Sequence, residues 1–217
     1  MNVFFAADTH FGHENIRKHC RRPFGTVEEM DEALIANWNG AVAAGDLVYI
    51  VGDFAWLDHN RYLTRLKGKK ILIKGNHDKM SQVCLRNFTE VHQLLARSID
   101  KHLVVMCHYC MAVWPSSCHG AWHLHGHSHG RIKEFPDLPR CDIGVDVWDF
   151  APVPWEIVKQ KLAGRKRTLN GDPRELDENV ASNLHANREI RLMKVNPGPI
   201  TDGGHEGGLH TAEMDGV

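Results

Sequence analysis

The sequence has no run of about 18 apolar residues, the length that a helix needs to cross a membrane. Its opening, MNVFFAADTH, is apolar, but it has no basic leader, no apolar segment of signal length and no small-residue cleavage pattern. These absences exclude a membrane-spanning protein and favour the cytoplasm as its location. The apolar opening is instead expected to form a strand that begins almost at residue 1.

An excess of charge of one sign is also missing. The 26 Lys and Arg residues balance 27 Asp and Glu residues, so that the formal net charge is −1. A near-neutral protein has no general basic field to attract nucleic acids or a membrane surface. The basic stretch GRKRT at 164–168 is short, so a nucleic-acid-binding module is a weak alternative.

Paired cysteine motifs are scarce as well. Of the six cysteines, Cys107 and Cys110 form a C-x-x-C motif, and no second such motif completes a zinc site. We therefore expect reduced, mostly buried thiols. A redox pair, or half of a zinc site, is the alternative interpretation of this motif.

What the sequence does contain is an alternation of apolar runs and amphipathic segments. The predicted segments are strands at 2–8, 47–51 and 70–75 and helices at 26–42 and 60–68. The longer helix begins with Thr26 and Glu29 in the pattern of a capping box. This order predicts one α/β domain over residues 1–165, with a largely parallel sheet whose strands end along one edge.

The later part of the chain is expected to be less regular. Residues 90–99 and 101–109 are predicted to form two neighbouring strands. Residues 166–217 are predicted to form a polar extension that ends in a flexible, Gly-rich tail.

Side chains that bind metal ions follow several of these predicted strands. Taken alone, the first four of these motifs are more often turns or core residues, whereas the His-x-His spacing of the last is as often a metal site as not. Together the motifs supply carboxylates, imidazoles and one amide oxygen. That mixture suits Mn²⁺, Fe or Zn²⁺ better than Ca²⁺ or a thiolate site, and the number of ligands fits two ions better than one. The motifs in chain order are D-T-H at 8–10, G-D at 52–53, G-N-H-D at 75–78, His108, and G-H-S-H at 126–129.

This ordered set of motifs resembles the calcineurin-like metallophosphoesterase family over about residues 3–160. The opening DTHFGHENIRKHCRRPF is similar to the small single-domain bacterial and phage members. The resemblance implies an α/β fold in which two mixed β-sheets pack as a sandwich flanked by helices in four layers. It also implies two sets of metal ligands, Asp8, His10 and His129 for one ion and Asn76, His108 and His127 for the other, bridged by Asp53.

The same resemblance makes His77 the catalytic histidine and Asp78 the carboxylate that orients it. The implied reaction is hydrolysis of a phosphate ester by a water or hydroxide that bridges two divalent ions. Mn²⁺ is the expected metal, with Fe, Zn²⁺ or Ni²⁺ as alternatives. His125 is a spacer before the last motif, and His123 has no assigned role.

Substrate contacts are less defined by the sequence. His13 and Arg22 follow the first motif closely and are expected to bind the substrate, since a guanidinium can hold a phosphate through two hydrogen bonds. No large cap domain is inserted between the motifs, so we expect an open site and a phosphodiesterase acting on nucleotides or small diesters. The alternatives are a phosphomonoesterase or protein phosphatase, and a metal-binding scaffold without activity.

Four tryptophans raise a separate question. Packing in the core or at an edge is the favoured interpretation, and a platform for stacking bases is the alternative. They are Trp114, Trp122, Trp148 and Trp155.

Overall fold

Two β-sheets form the body of the structure, a computed structural model that describes residues 1–132 and 138–165. The strands in chain order are β1 (Val3–Ala6), β2 (Leu47–Val51), β3 (Lys69–Ile73), β4 (Glu90–His92), β5 (Leu94–Ile99), β6 (His102–Cys107), β7 (Trp122–His125), β8 (Arg140–Asp142) and β9 (Val153–Pro154). The helices are α1 (Glu14–His19), α2 (Val27–Ala41), α3 (His59–Leu63), α4 (Gln82–Leu85) and α5 (Trp155–Leu162). Short 3-10 helices lie at Ser117–His119 and Val145–Val147.

Both sheets are mixed. The first has the order β4-β3-β2-β1-β9, with β1 to β4 parallel and β9 antiparallel to β1. The second has the order β5-β6-β7-β8, in which β5 runs antiparallel to β6 and the other neighbours are parallel. The predicted fold class, two mixed sheets in an α/β arrangement, is confirmed, and so is the parallel pairing of the first three strands.

Alternating side chains of β1 divide the core between the two faces of the first sheet. Phe5 packs in a buried cluster with Val104 and Leu124 of the second sheet, which joins the two sheets as a sandwich. Phe4 points the other way and packs in a second buried cluster with Trp38 of α2. This period of two is the usual consequence of the pleated strand.

The start of α2 shows the local interactions that its sequence predicts. The hydroxyl of Thr26 accepts a hydrogen bond from the backbone N–H of Glu29 at 3.1 Å. The Glu29 carboxylate reaches back one residue further than in the standard capping box and accepts from the N–H of Gly25 at 2.7 Å. Both contacts satisfy backbone donors that helix geometry leaves without partners.

The prediction of a single strand over residues 90–99 is wrong. The chain leaves the first sheet after β4 and enters the second sheet at β5, with Gln93 as the one residue between them. No glycine or proline marks the change. The periodicity of the sequence therefore could not separate β4 from β5.

Burial shows which of the predicted roles hold for the tryptophans. Trp114, Trp122 and Trp155 are buried, which confirms packing as their role, while Trp148 is half-buried beneath the ammonium of Lys161.

All six cysteines are free thiols, but only Cys84 and Cys141 are buried. The expectation of mostly buried thiols is wrong, since Cys20, Cys107 and Cys110 are half-buried and Cys118, in the 3-10 helix at Ser117–His119, is exposed.

No helix within residues 1–132 and 138–165 is long and apolar enough to cross a membrane. The predicted polar extension at 166–217 lies outside the described residues, and the domain boundary at 165 stays a prediction.

Candidate metal centre

The candidate ligands lie where strands of both sheets end. Each follows the last residue of its strand by one to four positions, and β1, β2 and β3 run in the same direction. The carboxyl ends of parallel strands meet at one edge of a sheet, which brings side chains from distant parts of the chain together. The strands concerned end at Ala6, Val51, Ile73, Cys107 and His125.

Backbone hydrogen bonds fix the loops that carry the ligands. The N–H of Asp8 donates to the carbonyl of Gly52, and the N–H of His10 donates to the carbonyl of Asp53, both at 3.0 Å. On the other side of the site, Gly126 donates to the carbonyl of His108 at 3.0 Å. The site is therefore a set of loops tied to one another and not a set of independent turns.

The backbone around the site is strained at the ligand positions themselves. Side chains other than glycine seldom adopt a positive φ, and such residues cluster at functional sites when the surrounding structure holds them there. Five of the candidate ligands have φ values from 48° to 65°. They are Asp8, His10, Asp53, His127 and His129.

Three groups of side chains in the described part of the chain are close enough to hold a metal ion, and two of them consist of predicted ligands; the third, Cys20, His129 and Asp146, shares His129 with the first. Asp8, His10 and His129 offer ligand atoms that all lie within 4.8 Å of one another, and Asp53, His108 and His127 form a second such group. Oδ2 of Asp53 lies 3.6 Å from Nε2 of His10, so this carboxylate also reaches the first group. The structure thus brings together six of the seven predicted ligands in two adjoining groups.

The seventh predicted ligand, Asn76, lies beside the second group. Its Oδ1 is 3.5 Å from the hydroxyl of Tyr109, and the Tyr109 ring packs 5.2 Å from His108 and 4.9 Å from His127, measured between ring centroids. Tyr109 is a residue that sequence reasoning missed. An aromatic residue directly after a strand is too common to indicate a site.

The histidine nitrogens show that these residues fit metal ions. Nδ1 of His108 donates to the carbonyl of Val51 at 3.0 Å, which leaves the lone pair of Nε2 facing Oδ2 of Asp53 at 3.2 Å. Nε2 of His10 and Nε2 of His108 are buried, and neither has a hydrogen-bond partner among the described residues. Buried polar atoms without partners are costly, and a divalent cation bound between the imidazoles and the carboxylate would satisfy all of them.

The charge state of His10 agrees with this interpretation. Burial lowers the pKa of His10 to about 2, so its imidazole is neutral at pH 7, which is the form that binds metals. Burial also raises the pKa of Asp8 to about 7. Although burial alone would raise the pKa of Asp53, the adjacent His108 imidazole lowers it to about 2. The buried carboxylate of Asp8 is therefore placed where a bound cation would stabilise its charged form.

Behind the first group lies a carboxylate that the sequence did not indicate. Nδ1 of His129 donates to Oδ2 of Asp146 at 2.7 Å, an arrangement that orients a metal-binding histidine and leaves its Nε2 available. Asp146 lies in a stretch that reads as a strand, RCDIGVDVW, and it has no characteristic spacing from the other motifs. Its role could be found only from the folded structure.

The prediction that Arg22 binds the substrate is wrong. Its side chain is fully buried, and its guanidinium donates two hydrogen bonds of 2.8 Å to Asp146. It also donates to the carbonyls of Asp8 and Thr9 at 2.6 and 2.9 Å. Its fifth N–H faces Sδ of Met30 at 3.4 Å. All five donors therefore have protein partners, so Arg22 positions the first motif and the carboxylate behind His129 and leaves no donor for a phosphate.

The predicted pair of His77 and Asp78 is also arranged differently. Nε2 of His77 lies 4.0 Å from Oδ2 of Asp53, and a third of its side chain is exposed, so the ring can meet a bound substrate. Asp78 does not orient that ring. Its carboxylate accepts hydrogen bonds from the backbone N–H groups of Asp53, Phe54 and Gly75 at 2.8 to 2.9 Å, and so it ties the second motif to the third.

His13 lies at the edge of the site, and its contact with a substrate stays a prediction. Its Nδ1 is 3.4 Å from Nδ1 of His10, and its ring is half-buried. The indole of Trp56 stacks on the His13 ring, with 4.2 Å between the ring centroids and 12° between the ring planes. Trp56 was not singled out by the sequence.

The remaining histidines of HLHGHSHG have structural positions. His123 is buried, and its Nδ1 donates to the carbonyl of Val105 at 3.0 Å while its Nε2 accepts from the N–H of Met111 at 3.1 Å. Burial lowers its pKa to about 4, so it packs as a neutral ring. His125 is buried beside it, 5.4 Å away between ring centroids. The crowding of histidines in this stretch thus combines packing residues with candidate ligands.

Close approach between two loops explains the glycine of the third motif. A Cβ atom on Gly75 would lie 2.3 Å from Oδ1 of Asp53 and 2.6 Å from its backbone nitrogen. We expect Gly75→Ala to lower the free energy of unfolding by about 1–3 kcal/mol through overpacking. We also expect it to weaken metal binding by about tenfold or more, because Asp53 has to move.

Gly40→Ala in α2 is the matched control, since no atom lies within 4 Å of its Cβ position. This control should stabilise the helix by about 0.5–1 kcal/mol. Thermal unfolding and metal titration of the two variants make the comparison. Unchanged metal binding in Gly75→Ala would show that the approach to Asp53 is not needed to hold the site.

Comparison with known proteins agrees with this geometry. A model of the calcineurin-like phosphoesterase family matches residues 1–192. The chain is 33% identical over 181 residues to an uncharacterized protein of Methanocaldococcus jannaschii, covering 77% of this chain and 96% of that protein. It is 27% identical over 187 residues to the Gene 66 protein of Mycobacterium phage D29, covering 70% of this chain and 92% of that protein.

A solved structure also shares the fold. It is a protein of unknown function from Aquifex aeolicus, with 23% identity and a TM-score of 0.59, and the match covers 73% of this chain and 98% of that one. The extent of the family match and the arrangement of the site lead to one conclusion. This chain belongs to the calcineurin-like phosphoesterase family and is a metal-dependent hydrolase of phosphate esters.

Proposed function

We propose that this chain hydrolyses phosphodiesters at a site that holds two divalent metal ions, with nucleotides or small diesters as substrates. The observation that carries the proposal is the position of the Asp53 carboxylate. Its Oδ2 faces Nε2 of three imidazoles, those of His10, His108 and His77, at 3.6, 3.2 and 4.0 Å. One buried carboxylate oxygen among several ring nitrogens is the arrangement expected of a ligand shared by two cations.

The proposed division of the ligands follows the two groups. Asp8, His10 and His129 hold one ion, and Asn76, His108 and His127 hold the other, with Asp53 shared between them. Two bound cations would neutralise the charge of a phosphate and make a water molecule acidic enough to act as a nucleophile near pH 7. The mixture of oxygen and nitrogen ligands suits Mn²⁺, with Fe, Zn²⁺ and Ni²⁺ as alternatives.

His77 has a different task from the ligands. Its ring is exposed at the edge of the site and lies beside the shared carboxylate, where the oxygen of a departing group would come. We assign it the donation of a proton to that oxygen, and its backbone N–H, which donates to Oδ1 of Asp53 at 2.9 Å, fixes its distance from the centre. His13 lies next to it and lines the same edge.

The accessibility of the site supports diesters as substrates. Asn76 and His127 are exposed, and His77 is partly exposed, so one side of the site is open to solvent. A diester carries a group on each side of its phosphorus, and an open site accepts both groups. A monoester also fits, so the ester class has to be measured.

A substrate panel tests this proposal. The purified protein is stripped with a chelator, reloaded with Mn²⁺ and assayed on p-nitrophenyl phosphate, bis(p-nitrophenyl) phosphate and 2′,3′-cyclic nucleotides. We expect no activity without metal and a higher kcat/KM for diesters than for the monoester after reloading. A preference for the monoester would point to a phosphomonoesterase, and bound metal with no activity on any ester would point to a scaffold.

A further inference from the structure

An exposed tryptophan next to the proposed proton donor identifies a second part of the binding site. Trp56 comes three residues after Asp53, and its backbone N–H donates to the carbonyl of Phe11 at 2.9 Å, which fixes its loop to the first motif. Its indole is 43% exposed although one side packs on His13. An aromatic side chain held rigidly at the edge of an active site and left open to solvent is typical of a binding surface.

The exposed part of Trp56 lines a groove of about 360 Å³. This volume lies within the range of pockets that bind small molecules, about 300–1,000 Å³. Its lining combines apolar and polar groups, as such pockets do, and includes Leu57, Asp58, Asn60, Lys79 and Ser81. Leu57 is 68% exposed, so the apolar surface of Trp56 continues along the same loop.

His77 lies between this groove and the metal-binding groups. Its ring is 5.2 Å from the Trp56 indole, between centroids, and its Nε2 is 4.0 Å from Asp53 on the other side. Lys79 follows two residues later, and its backbone N–H donates to the carbonyl of His77 at 2.8 Å. Trp56 and Lys79 both line the groove, and both contact His77, the proposed proton donor.

This order of residues has a chemical consequence that depends on the proposed function. If the phosphate lies at the metal-binding groups and His77 donates its proton to the leaving oxygen, then the group attached to that oxygen extends past His77 and over Trp56. The ammonium of Lys79 makes no ion pair with an acidic side chain in the described part of the chain, so its charge is available to an anionic part of the same group.

The geometry points to a leaving-group subsite in this groove that binds a nucleoside or nucleotide, with its base against Trp56 and an anionic substituent near Lys79. Any of the nucleic-acid bases can stack on an indole, because every base has a flat aromatic face. The enzyme then prefers diesters in which the departing alcohol belongs to a nucleoside. The tryptophan acts as a specificity-determining residue and leaves the chemistry to the metal-binding groups and His77.

The methyl ester of adenosine 5′-monophosphate tests this subsite, because its two leaving groups are both simple alkoxides. Water adds to phosphorus, one P–O bond breaks, and the departing oxygen takes a proton. Breaking the bond to the 5′-oxygen gives adenosine and methyl phosphate, whereas breaking the other bond gives adenosine 5′-monophosphate and methanol. We expect adenosine and methyl phosphate as the main products of the Mn²⁺-loaded wild-type protein.

The variants are Trp56→Ala and Trp56→Phe, with Ile157→Ala as the control. Ile157 is similarly exposed, at 40%, but lies on α5. Trp56→Ala should raise KM for the methyl ester about tenfold with little change in kcat, because stacking binds the ground state and the transition state alike. Trp56→Phe should restore most of the affinity, and Ile157→Ala should behave as wild type in thermal unfolding and in kinetics.

The outcomes separate the subsite from the proposed function. Release of methanol, equal KM in Trp56→Ala and wild type, or no hydrolysis of the methyl ester by a protein that hydrolyses bis(p-nitrophenyl) phosphate would overturn the subsite and leave the phosphodiesterase standing. No hydrolysis of either diester would overturn the proposed function itself, and the subsite with it.

Discussion

The Asp53→Asn variant is expected to lose its bound metal ions and nearly all of its phosphoesterase activity. Asp53 offers a buried carboxylate to both groups of ligands, and its Oδ2 is the atom nearest to the unpartnered nitrogens of His10 and His108. An amide of the same size keeps the shape of the side chain but removes the negative charge that the two proposed cations would share. The loss should exceed the roughly 10–100-fold effect of removing a group that merely orients a ligand.

A second Gly-Asp pair on the same strand supplies the control. Asp46 precedes β2, follows Gly45 and lies at the opposite end of the strand from Asp53. Its carboxylate accepts from the backbone N–H groups of Asn2 and Ala43 at 2.7 and 3.0 Å. Asp46→Asn should lower stability modestly and keep metal content and turnover.

Metal analysis after dialysis, activity with Mn²⁺ and thermal unfolding of the metal-free proteins make the comparison. An Asp53→Asn protein that is folded, keeps its full metal content and turns over substrate at the wild-type rate would remove Asp53 from the centre.

The second large effect is expected for His77→Ala. This variant should keep its metal ions, because His77 is not one of the residues in either group of ligands. Its kcat should fall by about 10²–10⁴ on diesters with alkoxide leaving groups, which is the usual contribution of a general acid. The fall should be much smaller for bis(p-nitrophenyl) phosphate, since p-nitrophenolate leaves without needing a proton.

The dependence on leaving group is what distinguishes proton donation from a structural role. His119→Ala serves as the control, because His119 is an exposed histidine in the 3-10 helix at Ser117–His119. A structural defect in His77→Ala would slow both kinds of ester equally and reduce metal content. Equal kcat values for the variant and the wild type on alkoxide esters would instead rule out His77 as the acid.

The parts of the site that could be predicted from sequence are those that repeat a local rule. Asp8 and Asp53 each follow an apolar run that reads as a strand, and parallel strands end on one edge. The same rule places His108 after β6 and His127 after β7. These positions depend on the strand periodicity and on the short spacing after it, both of which are visible in the chain.

The parts that could not be predicted depend on contacts between distant residues. Arg22 and Asp146 are 124 positions apart, and their pairing turns a predicted phosphate-binding residue into a buried support for His129. Asp78 lies next to His77 in sequence but turns its carboxylate toward three backbone N–H groups. Neither spacing nor composition indicates where a buried charge finds its partners.

The fold shows the same limit. The crossing from one sheet to the other at Gln93 occurs where no glycine or proline interrupts the sequence, and tertiary packing decides it. Trp56 is a similar case on the surface. The sequence around Trp56 gives no sign of function. Its proposed role in binding rests on its stacking against the His13 ring and on the groove that it lines.

Titration of the metal-free protein with Mn²⁺, followed by electron paramagnetic resonance, shows whether Asp53 is shared by two ions. If Asp53 is shared by two ions, binding should saturate at two equivalents for each chain and the spectrum should become that of a magnetically coupled pair. Saturation at one equivalent, or a second equivalent that adds only the signal of isolated Mn²⁺, would contradict a shared carboxylate at this centre.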